Sequence, residues 1–545
     1  MKKFLILFLA LSIASFGQDE TTKKDKKTNV FTDAGDAAKM ILAKQKMYAG
    51  DYVGALNTYR EVEKNNPKDA SVLHYIGFCY YNLNQIDKAK EFLLKSIDAN
   101  SIVKPENHLI LGKIAHSESD FDKAIEEFTE FKTAPKQNKE SVEDADIFLK
   151  QAQNAKAMAA SPLDVEVINL GSDINSVYDD KNPCITADGS KLVFTTRRPE
   201  TTASEVDAEG DGNYFEDIYI ANYDSLTKGF GKASEVPGSI NTKAHDAVTS
   251  ISADGKQIFI YKNDINDKNS RGGDVFVSKV NNGKWRTPEP MGKPIASSYW
   301  EGGACVSPDG KKYFFTSERP GGFGRSDIWM VQRINKKEWG KPENLGSEVN
   351  TTFDEAGMFL APDGKTLFFC SDRPESMGSY DVFKTVFEGG KWSTPVNLGY
   401  PINSVSKEGQ LTISADAKFA YVSSNRGGGL GGSDIYKINL KDYAILEKDG
   451  KKKTSNGLSI LKGTIRDGYE GYGLPDVAVV LTDASGAEIS STNTNENGEY
   501  FFTLKGGNYK ITINKKGFKE ISENIELKQS DKETISLEKG FLLKK

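Results

Sequence analysis

Four arginines, Arg198, Arg319, Arg373 and Arg426, each stand ten residues after the Asp of an Asp-Gly or Asp-Ala pair, and Asp264 holds that place in one further copy. A ring of guanidinium groups has the forked donors of an anion-binding mouth. Repetition favours a structural role instead: each position is followed by an Asp that opens a strand, so an Arg-Asp bridge holding each loop is expected. A second constellation is Asp207-Ala-Glu209-Gly-Asp211-Gly-Asn213. Alternate oxygen ligands with glycine between them resemble the start of a Ca2+ loop, but Ile218 stands where an EF-hand needs Glu. Asp207, Glu209, Asp211 and Asn213 are kept as candidate Ca2+ ligands, and a solvated acidic loop is the preferred reading. The only histidines are His74, His108, His116 and His245. A Ser-His-Asp triad in the strand-rich half would depend on His245, and no Gly-x-Ser-x-Gly elbow is written anywhere. Cys79, Cys184, Cys305 and Cys370 show no CxxC spacing and read as buried free thiols. Neither a cofactor nor a catalytic role is expected.

The Arg positions belong to a repeat. Asp188-Gly189, Asp254-Gly255, Asp309-Gly310, Asp363-Gly364 and Asp416-Ala417 are separated by steps of 66, 55, 54 and 53 residues. Around each, alternating apolar residues predict a hairpin. A third strand begins at Asp217, Asp274, Asp327, Asp381 and Asp434, and a fourth carries Trp285, Trp339 or Trp392. Strand-rich repeats of this length predict a five-bladed β-propeller over residues 165–443. Leu-Gly-x-x-Ile-Asn ends recur, and the copy at Leu170–Asn175 precedes the first blade while the last blade lacks one. Residues 170–175 are therefore expected to supply the missing outer strand and clasp the ring.

The rest of the 545-residue chain is read around this block. A composition of 38% hydrophobic and 10% aromatic residues suffices for several cores. Residues 1–17 have the form of a cleavable signal peptide, too short to span a bilayer, and residues 18–32 form a Lys-rich leader. Cleavage removes Lys2 and Lys3 and takes the formal charge from −6 to −8, which disfavours nucleic acid as a partner. No later run is long enough for a transmembrane helix. Residues 33–161 switch to a helical period: Ala55, Ala89 and Ala124 recur at steps of 34 and 35, matched by Gly77 and Gly112. That is the tetratricopeptide-repeat period, predicting an all-α solenoid of three repeats and a closing helix. Its concave face is expected to hold a protein partner through His74, Phe78, Tyr81, Asn82, Lys113 and His116. After a linker at 444–457, residues 458–540 carry the turns and short strands of a small, seven-stranded β-sandwich.

The Ser-Pro-Asp-Gly-Lys, Ser-x-Arg and Asp-Ile-Tyr elements resemble the TolB-like group of WD40-like (PD40) propeller repeats, and the sandwich resembles the carboxypeptidase regulatory-like domain. The order signal, tetratricopeptide repeats, propeller, sandwich is similar to the PorE-type periplasmic proteins of the Bacteroidota type IX secretion system. The resemblance implies a non-catalytic scaffold in the periplasm, associated with the outer membrane, with other envelope proteins of a secretion or gliding apparatus as partners. Such proteins continue into an OmpA-like domain that grips peptidoglycan; the sequence stops at Lys545 without one, so peptidoglycan binding is not expected of this chain. The alternative is a stand-alone ligand- or glycan-binding propeller protein.

Overall fold

In the computed structural model the chain divides into two compact units, residues 1–160 and 161–545. The structure describes residues 34–545 apart from 101, 103, 136–138, 200–205, 208–210, 264–272, 282, 336–337, 448–456, 529 and 531–533. The signal and leader segments, Glu209, Asp264 and most of the linker lie outside the described residues.

The described residues of the first unit form an array of seven helices: α1 (Ala34–Tyr48), α2 (Tyr52–Asn65), α3 (Ala70–Asn82), α4 (Ile86–Asn100), α5 (Glu106–Ser117), α6 (Phe121–Thr133) and α7 (Lys139–Ala159). Asp51, Asp69 and Asp120 start α2, α3 and α6, their carboxylates accepting the N–H groups of Gly54, Val72 and Lys123 at 2.8, 3.0 and 3.2 Å. Each satisfies a donor that the first helical turn leaves unpaired. The paired helices press closely where the repeat places glycine. A Cβ on Gly112 would sit 2.6 Å from the ring of Phe128, which is fully buried and has no room to yield. Gly112→Ala gains at most about 1 kcal/mol of helix propensity against an overpacking cost of about 1–3 kcal/mol. A net loss of stability is expected in urea unfolding of the helical unit. Among the described residues no helix is long and apolar enough to cross a membrane.

The second unit is a large multi-sheet β region. Its first five sheets are antiparallel and each uses three successive main strands. These are Asp180–Ile185, Lys191–Thr196 and Asp217–Asp224; His245–Ile251, Gln257–Asn263 and Asp274–Asn281; Glu301–Val306, Lys312–Ser317 and Asp327–Gln332; Glu355–Leu360, Thr366–Ser371 and Asp381–Glu388; and Glu408–Ile413, Phe419–Ser424 and Asp434–Asn439. All five third strands start at the Asp residues the repeat marks. The first strand of each sheet touches that of the next, and the fifth touches the first.

Sheet five takes its outer strand from the beginning of the unit. Glu166–Asn169 pairs antiparallel with the third strand, Glu166 opposite Asn439 and Asn169 opposite Tyr436. The clasp thus lies four residues earlier than the sequence suggests, because Leu170–Asn175 is a turn. Gly171 has a φ of +71°, and its carbonyl accepts the N–H groups of Ile174 and Asn175 at 3.1 and 2.7 Å, so the backbone cannot continue as a strand.

The bonds that this turn makes repeat those inside other sheets. Asn169 donates to Asp434 at 2.7 Å, as Asn344 does to Asp327 at 2.9 Å and Asn397 to Asp381 at 2.6 Å. Asn175 Oδ1 accepts the Ile435 N–H at 2.8 Å, as Asn350 and Asn403 accept those of Ile328 and Val382. Contacts between neighbouring sheets repeat as well. A Cβ on Gly431 would strike the Tyr178 carbonyl of sheet one, just as one on Gly324 or Gly378 would strike Phe353 or Ser404 of the following sheet.

The C-terminal part is a sandwich of two four-stranded sheets. Ser459–Asp467 lies between Glu499–Leu504 on one side and two parallel pieces, Ser536–Glu538 and Phe541–Leu543, on the other. Those pieces are one edge strand interrupted at Lys539-Gly540, where the Lys539 carbonyl presses on Gly463, so the expected seven strands become eight segments. Leu461, Val479, Phe502 and Ile513 are among the residues of its core.

Candidate functional site

The arginines of the repeat do not form an anion mouth, and their partners are not the Asp residues of the third strands. Arg198, Arg319, Arg373 and Arg426 reach the acid that opens the first strand: Asp180 at 2.9 Å, Glu301 at 3.2 Å, Glu355 at 2.8 Å and Glu408 at 3.0 Å. In sheet two Lys262 meets Asp246 at 2.6 Å. All five acids are fully buried. Arg373 and Arg426 also donate to the Val349 and Ile402 carbonyls at 2.7 and 2.8 Å, and Arg198 and Arg319 to those of Ile174 and Ile295. The guanidinium ties the turn that enters a sheet to that sheet's first hairpin. The third-strand Asp residues hold loops instead. Asp327, Asp381 and Asp434 accept backbone N–H groups of the loops before them, among them Phe323, Met377 and Leu430. Their role is loop closure without the arginine. The sequence does hold a signal for the true pairing, since each first-strand acid lies eight residues before its turn Asp.

The acidic loop of the first sheet is also tied inward. Val206 bridges Tyr214, and Asp207 exchanges backbone bonds with Asn213 and Gly212 at 2.8 and 2.9 Å. Asp211 pairs with Arg197 at 2.5 Å and accepts the Asn213 N–H at 3.0 Å. Asp207 lies 3.3 Å from His245 Nε2, and Glu216 lies 3.3 Å from His245 Nδ1 and 2.5 Å from Lys181. Protein cations thus face Asp207 and Asp211, the two described carboxylates that the Ca2+ reading assigns to a metal. Among the described residues no group of three or more acidic, His or Cys side chains is arranged to hold a metal ion.

Burial opposes the charge on His245, but Glu216 and Asp207 outweigh it and raise its pKa; the neighbouring Arg197 acts against them. Glu216 is held well below the usual carboxylate range by Lys181, His245 and Arg197, against the effect of burial. A raised imidazole pKa stabilises the fold fully below the ordinary value of 6.5, and that contribution is lost as pH rises through the folded value. The urea midpoint of the full chain is expected to fall as pH rises above 6.5. His245→Gln should flatten that part of the profile. An unchanged slope in the variant would remove His245 as its source.

On the helical unit, His74 is not on an open face. It is 2% exposed and its Nδ1 lies 2.8 Å from Asn107 Oδ1, at the head of a buried chain in which Asn107 donates to Ser96 at 2.9 Å and Ser96 to the Ala70 carbonyl at 2.7 Å. Burial, with the nearby Lys104, pushes its pKa down to about 3, so the ring stays neutral and couples successive repeats. The polar residues Ser96 and Asn107 inside otherwise apolar helix faces were the available signal. The other five candidates are half-buried. Phe78 and Tyr81 pack on the Leu93 and Ile110 core, Asn82 donates to the Phe78 carbonyl at 2.8 Å, Lys113 Nζ stands 4.4 Å over the Phe148 ring and His116 lies against Phe121.

All four cysteines are buried free thiols, and burial pushes Cys79 and Cys305 up to about 12, far from the range of a reactive thiolate.

Two families match parts of the chain: the tetratricopeptide repeat over residues 46–100 and the carboxypeptidase regulatory-like domain over residues 460–538. Both kinds of domain are therefore present, and neither is catalytic. Among curated relatives, the chain is similar to the BBSome complex member BBS4 of Bos taurus, 35% identical over 85 residues, which is 16% of each protein. It is also similar to the serine-aspartate repeat-containing protein C of Staphylococcus aureus (strain Newman), 28% identical over 174 residues, 30% of this chain and 16% of that one. The chain thus spans only about a sixth of the length of these relatives. Among solved structures, the first TPR of Spaghetti (RPAP3) bound to an HSP90 peptide overlaps 24% of this chain and 99% of that one at 13% identity with a TM-score of 0.21. An alpha-L-arabinofuranosidase from Lactobacillus brevis overlaps 52% of this chain and 98% of that one at 14% identity with a TM-score of 0.32. Overlaps this loose carry no argument about fold or activity.

Proposed function

We propose that this chain is an exported, non-catalytic scaffold of the cell envelope that holds protein partners within a type IX secretion or gliding apparatus. Tetratricopeptide repeats suggest protein–protein interaction, and the seven-helix array that carries them is the observation on which the reading rests. The five sheets are read as a five-bladed, TolB-like propeller, a rigid platform whose ends are joined by the Glu166–Asn169 strand. In support of a non-catalytic role, the chemistry-bearing side chains are spent on the framework: the arginines are bonded to first-strand acids and entering turns, and His245 lies between two carboxylates. The periplasm and the outer-membrane surface are the proposed location, and no cofactor is assigned. Ca2+ at Asp207, Glu209, Asp211 and Asn213 is not part of the proposal.

The test is affinity capture with the tagged full chain from envelope extract. Secretion or outer-membrane subunits are expected to co-purify stably, and a chain beginning at Ser161, without the helical unit, should lose at least part of that set. Recovery of a bound saccharide with no protein partner would instead favour a ligand-binding propeller acting alone.

A further inference from the structure

The five hairpin turns between first and second strands converge on the C-terminal sandwich. Leu458, where the sandwich begins, donates its N–H to the Ala415 carbonyl at 2.7 Å; Ala415 donates to Ala187 at 2.8 Å, and Ala187 to Ala253 at 3.3 Å. One backbone chain therefore runs from the sandwich through the fifth, first and second turns. Over it, Leu458 and Ile460 bury against Ala187 and Ala415, with Ala253 and Phe501 packed alongside. The second turn adds an ion pair from Lys256 to Glu499. In the third, Lys311 donates to Ser491 at 2.7 Å, and in the fourth the Pro362 carbonyl accepts from the Thr503 hydroxyl. All five turns are touched.

The residue before each turn Asp follows the same division. It is Ala187, Ala253 and Ala415 at the three turns joined by the backbone chain, and Pro308 and Pro362 at the two turns reached only by side chains. Proline has no N–H to give, so the substitution of Ala for Pro falls where Ala187 and Ala415 must donate.

Beneath the turns lies a small cavity walled by Ile185, Ile251, Val306, Leu360 and Ile413, the last residues of the five first strands. The turn residues Ala187, Ala253, Pro308 and Pro362 close over them, and Leu458, Ile460 and Phe501 of the sandwich pack in turn with Ala187 and Ala253, which takes this apolar end out of water.

We propose that the carboxypeptidase regulatory-like sandwich is a built-in cap on the turn-bearing end of the five-sheet ring, docked on all five turns and closing the apolar end of its axis. The proposal rests on the ring reading of the five sheets. It makes the sandwich part of the platform.

A specific protease site placed within residues 448–456 of the full chain tests this. After cleavage under native conditions, the sandwich fragment is expected to co-elute with the remainder as one particle. Leu458→Asp with Lys256→Glu should release about tenfold more free sandwich, the change that about 1.4 kcal/mol of lost contact produces. A sandwich that elutes alone from the otherwise unchanged cleaved chain, beside a soluble folded remainder, overturns the cap and leaves the ring intact. In the uncut chain the amides of Leu458, Ala415 and Ala187 are expected to exchange as slowly as core strands; exchange at the rate of exposed loops overturns the cap whatever the cleaved fragments do.

Discussion

A chain that begins at Asn182 is expected to aggregate or to melt early, whereas one that begins at Ser161 should fold with full stability. The difference is the clasp. Starting at Asn182 removes the Glu166–Asn169 strand and exposes the N–H and C=O groups of Asp434–Asn439 along an unpaired edge. It removes the Asn175 carboxamide that accepts from Ile435, the buried Ile174 side chain and Asp180, leaving Arg198 without its carboxylate. Differential scanning calorimetry and light scattering on both chains read the result. Equal melting of the two would mean that the fifth sheet does not need a strand from the start of the unit.

Glu355→Ala is expected to cost about 3–5 kcal/mol, because it leaves a buried guanidinium unpaired. Arg373 is 5% exposed and its Nη2 reaches Glu355 at 2.8 Å, while the same carboxylate accepts from Thr351 and Ser371. Urea unfolding of the full chain measures the loss. Arg373→Met in the same background should recover part of it, since it removes the stranded charge. A loss within about 0.5 kcal/mol, the ordinary scale of a surface change, would refute the framework role of the pair.

Much of this was legible in the sequence because the repeat writes its framework at fixed spacings. The five turns and the five third-strand Asp residues are found where the spacing puts them. The error in the clasp has a local cause. Leu-Gly-x-x-Ile-Asn is the most visible repeated string, but it marks the turn after the outer strand, and the strand Glu166–Asn169 shares only its last residue with two other copies, as Asn344 and Asn397. The Arg partner was missed because two acids recur in every copy. Choosing between them depends on which is buried opposite the guanidinium, a tertiary fact. His74 was misplaced for a similar reason: helical spacing puts it on one face with Phe78 and Tyr81, and only the neighbouring repeat, through Asn107, turns that position inward. Docking of the sandwich left its trace in the exchange of Pro for Ala before three turns, which composition alone does not single out.

The proposed platform depends most on closure of the five sheets into a ring through Glu166–Asn169. The most direct measurement replaces Ile168 and Lys437, which are cross-strand partners, with cysteine in the full chain; the four native thiols are buried. On mild oxidation the Ile168→Cys, Lys437→Cys chain is expected to form an intramolecular disulfide, seen as faster migration without reductant and as a higher melting temperature. A chain that stays reduced or links only between molecules, under conditions in which it remains folded, would contradict the closed ring.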